Sequence, residues 1–109
     1  RYRIMQNAGL YRSIAIAAPE TPQDRIVAAQ AADELLNISG VEASMVIYPL
    51  DNGDVFVSAR SIGEVNVQII MEKLGGGGNR ASAAAQIKNR ELKDALTALK
   101  KAIDEYFES

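Results

Sequence analysis

Apolar and polar positions change period several times along this chain, and each change marks an element. Arg1 to Gln6 alternates weakly, with Tyr2 and Ile4 set against Arg1 and Arg3, and reads as an edge strand before a turn at Asn7-Ala8-Gly9. Leu10 to Ala18 reads as one strand, with Ile14 and Ile16 on one face and Ser13, Ala15 and Ala17 on the other. Both faces are apolar from Ile14 onward, which predicts a central strand covered on two sides until Pro19 ends it. Thr21-Pro22-Gln23-Asp24 then predicts a helix start, with Thr21 as cap and Pro22 in the first helical position. That helix runs to about Asn37, where Ile38-Ser39-Gly40 stops it. Its alanines (Ala28, Ala29, Ala31, Ala32) allow close approach to a sheet.

The second half begins with a strand from Val41 to Leu50 and a turn at Asp51-Asn52-Gly53-Asp54. Asn-Gly between two alternating apolar runs predicts a hairpin with a two-residue turn. In that register Leu50 faces Val55, Tyr48 faces Val57 and Val46 faces Ala59, while Ile47 and Met45 face Ser58 and Arg60. Ser61-Ile62-Gly63-Glu64 has the spacing of a capping box and predicts a helix to Leu74, with Val67, Ile70, Met71 and Leu74 on its apolar face. Gly75-Gly76-Gly77-Gly78 follows; one glycine suffices to stop that helix, and the other three are surplus to it. Ala83 to Ile87 reads as a short final strand. Asn89 is the predicted cap of a last helix over 90–108, striped by Leu92, Leu96, Leu99 and Ile103. The order predicts one α/β domain over residues 1–109, a mixed, mostly five-stranded sheet packed with about three helices.

Composition narrows what such a domain can do. A net charge of -2 over 109 residues gives no basic footprint for duplex nucleic acid. The chain has no cysteine and no histidine, which removes thiolate metal sites, disulfides, the commonest general base and the commonest transition-metal ligand. The acids do not converge: Asp51 and Asp54 mark a hairpin tip, and Asp24, Asp33 and Glu34 a helix surface. No apolar run approaches the ~20 residues of a membrane span. The chain opens on Arg1 rather than Met, so the expectation is a piece of a longer protein.

Two features point to an anion. Successive glycine amides can converge on a phosphate, although from composition alone a flexible linker or a generous helix stop is the readier explanation of four glycines. Arg60, on a strand face with apolar neighbours, needs a carboxylate, an anionic ligand or a path to water. Ser58, Arg60 and Ser61 end a strand, and the glycines lie beyond the following helix, ~15 Å long at ten residues. The two sites meet only if the glycine loop folds back toward the sheet.

Val57-Ser58-Ala59-Arg60-Ser61, the helix ending Met71-Glu72-Lys73-Leu74, and the glycine run resemble the DHH-associated C-terminal domain of the DHH phosphoesterases. The resemblance covers nearly the whole chain. Ala29 to Leu36 with Gly40 to Ser44, Ser58 to Leu74 with the glycines, and the ending Ala102 to Phe107 resemble the subgroup of GdpP-type cyclic-di-AMP phosphodiesterases. It implies that Gly75, Gly76, Gly77 and Gly78 line a nucleotide site and that Ser58, Arg60 and Ser61 form an anion clamp. It implies no catalytic residue and no metal in this domain, with manganese held by a preceding DHH domain of the same chain. Implied substrates are a cyclic dinucleotide or short oligonucleotide, and the implied parent is anchored in the cell membrane with this domain in the cytoplasm. Asn79 stands where the family has histidine; it forms hydrogen bonds but carries no proton at neutral pH. The alternative from pattern alone is a ferredoxin-like or ACT-type regulatory module binding a small effector. A third reading makes the last helix a homodimer contact and the glycines a hinge.

Overall fold

The computed structural model describes residues 2–109. The elements run α1 (Tyr2–Gln6), β1 (Gly9–Tyr11), β2 (Ile14–Ala17), α2 (Arg25–Leu35), β3 (Ala43–Pro49) and β4 (Val55–Ser61), then α3 (Val67–Glu72), β5 (Gly77–Gly78), β6 (Ser82–Ile87) and α4 (Leu92–Glu108). Six strands form one mixed sheet in the order β1-β2-β3-β4-β6-β5. Among the described residues there are thus six strands and four helices, one of each more than the sequence pattern predicts. The α/β class and the single domain stand.

Two apolar layers hold the sheet. On one face, Ala28, Ala31, Ala32 and Leu35 of α2 pack on Ala15, Ala17, Val46, Tyr48 and Phe56. The small side chains let this helix lie close, as its alanines predict. On the other face, Val67, Ile70 and Met71 of α3 and Ala95, Leu99 and Ile103 of α4 cover Met45, Ile47, Val57 and Ala85. Leu99 and Ile103 are fully buried, each worth roughly 1.5–3 kcal/mol of apolar transfer.

Several predicted elements take a different form. Arg1 lies outside the described residues, and Tyr2–Gln6 is a helix, not an edge strand. Weak alternation over so few residues sets no register, and as a helix the segment buries Ile4 in the α2 layer. The single strand predicted over 10–18 is a hairpin whose two-residue connection is Arg12-Ser13, with Tyr11 opposite Ile14. No glycine or asparagine signals that turn. Arg12 adopts φ 56, and α4 holds it there: Arg12 Nε and Nη2 donate to Asp104 Oδ1 and Glu108 Oε2, each at 2.9 Å. The Tyr11 hydroxyl donates to Asp104 Oδ2 at 2.7 Å.

Caps also shift. Asp24, not Thr21, caps α2, its Oδ1 accepting from the Ile26 and Val27 amides. Asn66, not Ser61, caps α3, which starts later than a capping box at Ser61 requires. Asn89 caps nothing; it sits at φ 47 and its amide donates to Asp54 Oδ1 at 2.9 Å. Glu91 is the N-cap of α4, without a side-chain bond.

The β3–β4 hairpin is offset by one residue from the predicted register. Leu50 N donates to Asp54 O at 2.8 Å, closing a three-residue loop in which Gly53 takes φ +91. Asn52 Oδ1 accepts from Asp54 N at 3.0 Å, so asparagine serves the loop through its side chain instead of a positive φ. Tyr48 therefore faces Phe56, Ser44 faces Arg60 and Ile47 faces Val57. An odd slip exchanges the two faces of β3: Met45 and Ile47 join the layer under α3 and α4, and Ser58 and Arg60 face α2 beside Val46 and Ser44.

The strand order removes the ferredoxin-like or ACT-type alternative. That fold splits each β-α-β unit with an intervening strand, whereas β2 and β3, joined through α2, pair directly and in parallel.

A pH prediction follows from the α4 lock. The Tyr11 hydroxyl, and then Arg12, hold the Asp104 carboxyl below its ordinary value. Its folded pKa lies under the unfolded one, so the stabilisation is complete above about pH 4–5 and lost as pH falls through the folded value. Asp104→Asn is expected to lower the urea midpoint at pH 7 and to flatten its decline toward pH 3, measured by denaturation across that range.

Candidate functional site

The candidate residues gather on the α2 face of the sheet at its glycine edge. β4 presents Phe56, Ser58 and Arg60 toward α2, and β6 pairs with it so that Ser58 lies opposite Ala84 and Arg60 opposite Ser82. β5 continues the row, Gly77 pairing with Ala84 and Gly78 with Ala83. Ser58, Ala84 and Gly77 thus stand side by side across three strands, roughly 10 Å from first to last at the usual strand spacing. A hollow of about 310 Å³ lies over them, walled by Arg25 and Ala29 of α2. The glycine loop and Arg60 open onto one space, the point that spacing along the chain left undecided.

Arg60 is half held. Its Nη1 donates to Ala59 O at 2.8 Å and to Ser58 Oγ at 3.4 Å. Its Nε meets Asp33 Oδ1 at 3.3 Å, with the Asp33 side chain 63% exposed. An ion pair so open to water is worth at most about 1 kcal/mol. Asp33, which the pattern assigns to solvated helix surface, therefore orients the guanidinium without neutralising it for an incoming anion. Ser58 is buried, its hydroxyl facing Arg60.

The four glycines differ in kind. Gly75 takes φ +85 and ends α3, its amide donating to Glu72 O while that of Gly76 donates to Met71 O. A Cβ on Gly76 would stand 2.1 Å from Ala84 O, and one on Gly78 2.5 Å from Ala83 Cα, with Gly78 also at φ +144. A Cβ on Gly77 would meet nothing within 4 Å. Three of the glycines are thus demanded by the fold, where the sequence accounts for one. Gly77 is not, and it lines the hollow.

The remaining candidates play other parts in the local structure. Ser61 lies on the opposite face from Ser58, its hydroxyl donating to Glu42 O at 3.2 Å and accepting from Gly63 N at 3.3 Å. It does not line the hollow. Asn79 stands at the turn between β5 and β6, where its Oδ1 accepts from the Ala81 and Ser82 amides at 3.0 and 2.9 Å. Sequence reasoning passed over Arg25 and Phe56. The trace that could have found Arg25 is the series Arg25, Ala29, Asp33, four residues apart on one helix face.

The donor set suits an anion. Two guanidiniums, of Arg25 and Arg60, and two serines, Ser58 and Ser82, border the hollow. Among the described residues no three of His, Cys, Asp or Glu are arranged to hold a metal ion. A larger hollow of about 550 Å³, beside Leu50, Leu92 and Leu96, contains none of the candidate residues. No helix among the described residues is long and apolar enough to cross a membrane.

Residues 12–109 match the family described as the DHHA1 domain, and the chain belongs to that family. Two curated relatives are cyclic-di-AMP phosphodiesterases. GdpP of Bacillus subtilis is 50% identical over 99% of this chain, and PdeA of Listeria monocytogenes is 42% identical over 98%. The chain spans 17% of the length of each. Among solved structures, an exopolyphosphatase-related protein from Bacteroides fragilis shares the fold with a TM-score of 0.83 at 16% identity, covering 96% of this chain and 33% of that one.

The glycine geometry makes a paired prediction. Gly76→Ala should cost about 1–3 kcal/mol or more, because backbone and not a flexible side chain blocks the methyl group. Gly77→Ala should be neutral or stabilise by up to about 1 kcal/mol through the unfolded chain. Urea denaturation of the two variants distinguishes these outcomes.

Proposed function

We propose that this domain is the substrate-recognition part of a metal-dependent phosphodiesterase that hydrolyses cyclic-di-AMP or short oligonucleotides. The observation that carries the reading is Gly77: a glycine that the fold does not require, at the rim of the hollow that also takes Ser58 and Arg60. A side chain absent for no internal reason is explained by something else that comes close. Membership of the DHHA1 family and the identity of the two relatives support the class of substrate.

In this reading Arg60 and Ser58 take a phosphate oxygen, and Gly77 and Gly78 let the nucleotide approach the backbone. Gly75 and Gly76 set the path of the loop, Asn79 its turn, and Ser61 the end of β4. The reacting metals, manganese by resemblance, are held by a preceding DHH domain, which suits a chain without histidine or cysteine. That domain would close the hollow from outside, and the parent would be anchored in a membrane with this part in the cytoplasm.

In the full-length protein Arg60→Ala is expected to lower kcat/KM for cyclic-di-AMP about tenfold or more, the cost of one charge-assisted contact. An unchanged kcat/KM would remove the clamp. Asn79→His is expected to add an inflection near pH 6.5 to the profile of kcat/KM, since imidazole titrates there. Superimposable profiles would show that this position does not reach the substrate.

A further inference from the structure

One cation on the wall of the hollow has no role in the reading above. Arg25 opens α2, and among the described residues no ion pair engages it. Its Cζ lies 4.3 Å above the centroid of the Phe56 ring, the separation of a guanidinium lying on an aromatic face. Phe56 is itself backed by Tyr48, the two ring centroids 5.8 Å apart and tilted by 46°. Tyr48 is buried in the α2 layer, so Phe56 is fixed and the guanidinium rests on a rigid support. Arg25 itself is exposed, and it lines the hollow.

We infer that Arg25, laid on Phe56, is a stacking platform for the base of a nucleoside monophosphate unit whose phosphate sits at Arg60. This rests on the reading of the hollow as a nucleotide site and adds where the base lies. A guanidinium plane accepts a base on its free face, as an aromatic ring does. The dimensions agree. Phe56 and Arg60 are four residues apart on β4, roughly 13 Å between Cα atoms, and both line the hollow with Ser58 between them. That leaves room for a ribose between base and phosphate. At about 310 Å³ the hollow is at the small end of ligand sites, enough for one nucleotide unit but not for two. A stacking platform without base-edge contacts accepts any base, since each presents a flat face. Choice among bases would have to come from groups beyond this face.

The test uses the full-length protein with adenosine 5′-monophosphate and ribose 5-phosphate as competing inhibitors of its hydrolysis. These probes share the phosphate and differ in the base. Unsubstituted protein should bind the monophosphate at least about fivefold more tightly, since stacking of one base is worth ~1–3 kcal/mol. Arg25→Lys keeps the charge but offers no plane, and Arg25→Ala removes both. Each should bring the monophosphate close to the ribose 5-phosphate value and leave the latter within about twofold. Arg60→Ala should weaken both probes. If Arg60→Ala weakens both but Arg25→Lys binds the monophosphate normally, the platform is wrong and the site stands. Equal weakening of both probes in Arg25→Ala makes Arg25 a phosphate contact and likewise overturns the platform. If Arg60→Ala changes neither probe, the nucleotide reading of the hollow falls and the platform with it.

Discussion

The approach of the β5 backbone to β6 is the constraint on which the rest of the site depends. Gly76 and Gly78 lie so near Ala84 and Ala83 that a single methyl group on either would overlap main-chain atoms. Alanine on β6 and glycine on β5 together allow a short edge strand to pair there. That pairing turns the chain leaving α3 back toward the sheet, so the loop after the helix lies level with Ser58 instead of a helix length away. A wider edge would leave Arg60 without an opposite wall.

The site built on this edge combines rigid and adjustable parts. β4 is a central strand, and its Ser58 and Arg60 are positioned by two ladders, one to β3 and one to β6. The guanidinium is aimed by the Ala59 carbonyl and by Asp33, the second of these across solvent. Such a carboxylate orients a cation at little energetic cost and yields to a phosphate that carries more charge and more acceptors. Arg25 is fixed through an aromatic contact that leaves its charge intact. The hollow is thus cationic within a chain whose net charge is negative, the pattern expected where an anion is drawn to one place on an otherwise unattractive surface.

Away from the hollow, charge plays another part. Asp104 and Glu108 hold the β1–β2 turn, and at the opposite end of the strands Asp54 accepts from the Asn89 amide and Gln86 Nε2. These acids tie hairpins to neighbouring elements; Asp54 borders the larger hollow, but its carboxylate oxygens are taken by Gln86, the Asn89 amide and Lys88. The lowered pKa values of Asp54 and Asp104 report structural hydrogen bonding, since a perturbed carboxyl is a site only when its partners leave room for a ligand.

The amino-acid sequence by itself determined the α/β class, the parallel β2-α2-β3 unit, the existence and type of α2, α3, α4 and β6, and the pairing of the Asn-Gly hairpin arms. It also determined the family, through Ser58 to Ser61 and the glycine run. These rest on short-range periodicity and on side chains that act within a few residues of themselves. Tertiary structure decided whatever depends on groups distant in sequence. Arg12 turns the chain because acids more than ninety positions away bind it. The β3–β4 register moved by one residue because loop closure at Gly53 outweighed the Asn-Gly preference for a two-residue turn. Asp33 became a partner of Arg60 only when α2 was laid across the sheet. Of four identical residues in a row, contacts with β6 and backbone angles made three necessary and left Gly77 free. No local pattern distinguishes one glycine from the next, because the difference between them is the space each one faces.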